Sequence, residues 1–128
     1  MRIAVLIARI LLGLLFTVFG LNGFLHFIPQ PPPPPGLAAD FFRVVFASGY
    51  LMLPFALQLV GGVLLLANRY VPLALALLAP VIVNILMFHV LMSPGTIAPG
   101  LLAAVLWCFV AYRVRAAFAP LVAPGGVA

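Results

Sequence analysis

Residues 71–91, VPLALALLAPVIVNILMFHVL, stay apolar for about twenty residues, the length a helix needs to cross a bilayer. Pro80, Asn84 and His89 interrupt the run. An amide or an imidazole in hydrocarbon is costly unless another group satisfies it. This helix is therefore expected to face other helices that carry polar groups of their own. Candidates stand at Asn22, His26 and Gln58.

The rest of the chain agrees with a membrane setting. It is 67% hydrophobic and 5% charged over 128 residues, too little polar surface to coat a soluble domain. The net charge of +5 comes from arginine alone: Arg2, Arg9, Arg43, Arg69, Arg113 and Arg115. Asp40 is the single acid. A nucleic-acid partner needs a clustered basic face, and these arginines stand at segment ends. That is the orientation signal of a membrane protein, so the bilayer is the expected partner. The lone Cys108 excludes an internal disulfide and a CxxC redox centre. It is expected to be a small packing residue.

The hydrophobic pattern predicts an all-α integral membrane protein, a four-transmembrane-helix bundle in a single domain over 1–128. The helices fall at about 3–28, 38–67, 72–92 and 98–118, with a Pro-rich loop at 29–36. The first apolar run is too long for a signal peptide, contains Arg9 and lacks a small-x-small site, so it is expected to stay as a span. Gly13, Thr17 and Gly20 share one face of it, where another backbone can approach closely. Asn22 and His26, four apart, share a different face.

PQPPPPPG at 29–36 must end that helix and form a stiff spacer. Residues 37–48 read as an amphipathic lead-in lying at the interface, with a weak Asp40–Arg43 surface pair. The second span proper is then 49–68. Pro54 is expected to bend it, and Gly61–Gly62 to offer another close contact. NRYVP is a tight turn, with Asn68 suited to a helix C-terminus and Pro72 to a first turn. The fourth segment carries Trp107 near its middle and Tyr112, Arg113 and Arg115 at its interfacial end. The tail APLVAPGGVA is expected to fray.

Four spans put both termini on one side. With that side cytoplasmic, Arg2, Arg69, Arg113 and Arg115 are inside, joined by Arg9 through snorkelling or through carbonyls exposed near a helix end. Arg43 alone is outside. This is a clear positive-inside bias. In this frame His26 and His89 share the outer interface level. Asn22, Gln58 and Asn84 form a layer beneath, with Gln58 and Asn84 both about 12–13 Å down. Two readings of these five residues stay open. They are either hydrogen-bonding glue between helices, or the lining of an outer-face pocket for a quinone or another small ligand. No metal or haem is expected: the acids and thiols of a metal site are lacking, and both histidines stand at the rim.

RILLGLLFTVFGLNGFLHF and GGVLLLANRYVPLALALLAPVIVNILMFHV resemble segments of the DoxX family. These are small four-helix proteins, mostly of bacterial inner membranes, some of them linked to membrane oxidoreductase complexes. The resemblance implies the fold and a bacterial inner-membrane location, and it says less about activity. It also marks a departure. Many relatives carry a glutamate where this chain has Gln58, and a glutamine cannot carry a proton. The two helices ending in Asn22…His26 and Asn84…His89 form a weak internal echo. Two functions follow as expectations. One is a non-catalytic subunit or scaffold of a membrane-associated redox complex, partnered by a soluble or membrane oxidoreductase or by further copies of itself. The other is a quinone-binding oxidoreductase component that uses the polar pocket. No self-contained catalytic constellation is present.

Overall fold

The computed structural model describes residues 1–127. The described residues contain five α-helices and no strand: α1 (Arg2–Leu25), α2 (Leu37–Ala47), α3 (Met52–Ala67), α4 (Val71–Met92) and α5 (Ala98–Arg113). Short 3-10 segments follow at Pro94–Thr96 and Arg115–Val122. Two helices, α1 and α4, are long and apolar enough to cross a membrane. The number rises to 4 if α2 with α3, and α5 with Arg115–Val122, each form one bent span.

The contacts give the order of packing. α1 lies on α3 and α5, and α4 lies on the same two. Gly13 approaches Gly62, and Gly20 approaches Phe55 and Leu59, so α1 and α3 run antiparallel. A three-residue turn joins α3 to α4. Trp107 meets Leu75, and Gly100 meets Ile85, so α5 runs back along α4. These directions bring the start of α1, the α3–α4 turn and the end of α5 to one end of the molecule. The core is apolar: Leu12, Phe16, Leu65, Leu75, Leu78 and Val110 are almost wholly buried.

Local chemistry explains the helix ends. α1 stops at Leu25, three residues before the expected end. His26 adopts the left-handed conformation (φ 52°, ψ 44°) and donates its N–H to the Asn22 carbonyl at 2.8 Å. The proline tract beyond can contribute no donors to continue the helix. α3 closes with Asn68 at φ 54°, its N–H on Leu65 and the Arg69 N–H on the Leu64 carbonyl. This is a Schellman cap, with asparagine in the place glycine usually takes. Pro72 falls in the first turn of α4, as expected from its missing donor.

Two expected helices are corrected. The segment 38–67 is not one helix: α2 and α3 meet at 84°. The elbow is made by Ser48 and Gly49. Gly49 has φ 75°, a conformation that costs glycine little, and the Ser48 hydroxyl accepts the Tyr50 N–H at 3.2 Å. Pro54 consequently sits in the first turn of α3 and bends nothing. The segment 98–118 ends as α-helix at Arg113, and Arg115–Val122 turns away by 85° as a 3-10 segment. The tail is thus ordered into helical turns as far as Val122.

α2 packs on the far end of α4 through aromatic rings. Phe41 and Phe42 lie 5.3 Å and 4.9 Å from Phe88. Its outer side holds the Asp40–Arg43 pair at 3.3 Å, with both side chains exposed. Such a pair contributes little, about 0.3–0.5 kcal/mol. The Phe contacts, not the ion pair, fix α2 in place.

Candidate functional site

No hydrogen bond joins the side chains of the five polar residues singled out from the sequence. Asn22 is buried, and its Oδ1 accepts the Ile28 N–H at 2.7 Å. It thereby ties down the chain as it leaves α1. His26 is exposed just beyond the helix. Gln58 is 7% exposed and lies in the α1–α3 seam, its Cβ against Gly20. Asn84 is exposed on α4 and donates Nδ2–H to the Pro80 carbonyl one turn back, at 3.1 Å. His89 is half-buried, with Nδ1 2.7 Å from the Ile85 carbonyl. A carbonyl only accepts, so Nδ1 is the donor in this contact.

Gln58 and Asn84, expected at one depth in a shared polar layer, do not meet: Gln58 is buried and Asn84 is exposed. Equal depth on neighbouring helices did not put the two side chains on facing sides. Asn84 points outward, away from the buried row Ala74, Leu78, Val81 and Ile82. The shared layer of three amides dissolves for the same reason. Depth follows from counting residues, whereas direction depends on how each helix is rotated.

One cleft touches a candidate. It lies inside the elbow and is lined by Gly23, His26, Phe46, Gly49, Met52 and Phe55, among others. Its volume is about 100 Å³. Ligand pockets usually run from about 300 to 1,000 Å³, so this cleft is small for a quinone headgroup with its tail. Phe55 accounts for the tightness. Its ring lies over Gly23, where an added Cβ would fall 2.2 Å from it, and it meets Phe24 edge-on at 6.3 Å. Among the described residues no three His, Cys, Asp or Glu side chains come together as a metal site would require.

The arginines divide by role. Arg2, Arg69, Arg113 and Arg115 are exposed, all at the end that holds the α3–α4 turn. Arg115 stacks over the Tyr112 ring at 4.2 Å and donates to the Tyr112 carbonyl at 2.7 Å. Arg9 is different. Its guanidinium is half-buried and donates to the Leu65 carbonyl, with a second contact to Leu66 at 3.3 Å. The C-terminal carbonyls of a helix carry partial negative charge and lack intrahelical donors, so a cation there is favoured. Of the two expectations for Arg9, the one observed is the bond to helix-end carbonyls.

Sequence reasoning missed three features. Trp107 donates Nε1–H to the Leu75 carbonyl at 2.8 Å, beside the Ala76 carbonyl that Pro80 leaves without its helical donor. A lone indole near a helical proline was the available signal. Thr17 was placed on the glycine face, but its hydroxyl is buried without a partner against Gly62. Cys108 is exposed on α5, not packed inside.

Comparison with known proteins finds no matching family model, no similar curated protein and no similar solved structure.

Proposed function

We propose that this chain is a four-span protein of the bacterial inner membrane, with both termini cytoplasmic. Its role is that of a non-catalytic subunit or scaffold for a membrane-associated redox complex. The DoxX-like pattern behind this reading rests on the sequence resemblance alone. The membrane part is supported by two helices long enough to span and by two bent pairs that complete the count. Orientation is supported by the exposed arginines gathered at one end, with Arg43 on α2 at the other.

One observation carries the choice of scaffold over enzyme. Apart from Gln58 and Thr17, the polar side chains within the apolar segments bond to backbone groups of this same chain. Asn22 holds Ile28, Asn84 holds Pro80, His89 holds Ile85, Arg9 holds Leu65 and Trp107 holds Leu75. A catalytic site gathers such groups around a space where a substrate can sit. Here they are dispersed, and each stitches one segment to itself or to its neighbour.

The test is purification of the full chain from membranes in mild detergent. A colourless, quinone-free preparation that brings down an oxidoreductase in stoichiometric amount supports the scaffold. Stoichiometric bound quinone, lost on His26→Ala, would replace it with the quinone-binding component.

A further inference from the structure

α4 presents an outward stripe that its own chain leaves uncovered: Ala76, Pro80, Val83, Met87 and Val90 are all exposed. Their spacing is four, three, four, three, the rhythm of a seam between two parallel or antiparallel helices. Asn84 stands beside this stripe. It lies about 20 Å from the start of α4 and about 12 Å from its end, well inside an apolar helix. It is the one exposed amide within the four long helices among the described residues. Its single bond to Pro80 uses one N–H, leaving the second N–H and the Oδ1 free of protein partners. A shallow, wholly apolar groove lies next to it, about 280 Å³ and lined by Val83, Leu86, Met87, Val90 and Leu91.

We infer that this face of α4 is a dimer interface, occupied by a second copy of the same chain, with the two Asn84 amides bonded to each other across a twofold axis. The amide is what selects this occupant. Asparagine is both donor and acceptor, so two copies complement each other without any other residue. Two chains inserted in the same orientation place their Asn84 side chains at the same depth automatically. A twofold axis along the membrane normal then brings each free N–H to the other copy's Oδ1, an isologous contact. Acyl chains can cover Val83 and Met87, but they offer nothing to an amide. Polar side chains that join membrane helices do so by this kind of bond. The inference rests on the membrane-spanning part of the proposed function and is independent of the scaffold role.

The test uses the full chain in mild detergent and in lipid vesicles. Light scattering is expected to give a dimer for the wild type. Asn84→Leu should raise the dimer dissociation constant about tenfold, the loss of two interhelical bonds of ordinary strength, and Asn84→Gln should largely preserve it. In a Cys108→Ser background, Met87→Cys should form an intermolecular disulfide in vesicles, whereas Leu101→Cys on α5 should not. Asn84→Leu leaves the buried row of α4 intact, and the cross-link reads the interface without touching Asn84. A monomeric wild type without the Met87 cross-link overturns the inference. So does a dimer that ignores Asn84→Leu or is captured through Leu101 instead. A monomer whose copurified quinone disappears with Asn84→Leu also overturns it, in favour of a small ligand on this face.

Discussion

Arg9 on α1 and Leu65 in the last turn of α3 are joined by a charge-assisted hydrogen bond between guanidinium and backbone carbonyl. The two residues lie 56 positions apart in sequence. The bond closes the end of α3 from outside, while the Asn68 and Arg69 amides close it from within. The same bond buries part of a cation in an apolar setting without a carboxylate.

Arg9→Leu should therefore insert normally and destabilise the folded protein by about 2 kcal/mol, the range of hydrogen bonds to charged groups. Arg9→Lys should recover part of that loss, since an ammonium reaches the same carbonyls as a point charge. Reversible unfolding in mixed micelles measures both. An Arg9→Leu protein as stable as the wild type would show that the bond contributes nothing.

Gly20→Ala should cost about 1–3 kcal/mol by forcing α1 away from α3. The added Cβ would lie 2.7 Å from the Leu59 backbone nitrogen, and a helix backbone cannot step aside as a side chain does. Gly95→Ala, which meets nothing within 4 Å, is the matched control and should be neutral. The same unfolding assay distinguishes them.

Gln58→Leu and Asn84→Leu should have additive effects on the monomer, within about 0.5 kcal/mol, because the two side chains do not share a partner. Measured below the concentration at which chains associate, a double-mutant cycle gives the coupling directly. A coupling near 1–2 kcal/mol would mean that α4 rotates to bring the amides together in the bilayer.

Reporter fusions test the orientation. A cytoplasm-dependent reporter at Ala128 should be active, and a periplasm-dependent one should be active when inserted in the proline tract 31–35. Moving two arginines to the outer loops, with Arg69 and Arg113 replaced by Gln, should produce a mixed population. Uniform periplasmic activity at Ala128 in the wild type would invert the topology.

Much of the helix layout was legible because apolar length and turn residues are local signals. The glycine face was legible too: Gly13, Thr17 and Gly20 do meet α3 at Gly62 and its neighbours. The elbow at Ser48–Gly49 was half legible, as an amphipathic lead-in separate from the span. Its sharpness depends on a positive φ at one glycine, which leaves no trace in hydropathy. The candidate site failed for a different reason. Asn22, Asn84 and His89 each found a carbonyl or amide within six residues. Reading depth along a helix treats such groups as if they must look outward for partners. Local backbone acceptors compete for them and here win.

The two right-angle breaks lie at opposite faces of the molecule, α2 at one and Arg115–Val122 at the other. They act as flanges on a beam, and the webs between them are α3 and α5, each 16 residues long. That is about 24 Å of helix, against about 30 Å of hydrocarbon in a typical bilayer. Once inserted, the flanges set a thickness that lipid must meet. The bilayer should thin around these two helices, while α1 and α4, at 24 and 22 residues, take up their greater length by tilting. The protein would then sort toward thinner membranes, and lengthening α3 by one turn should shift that preference more than any change to the polar residues.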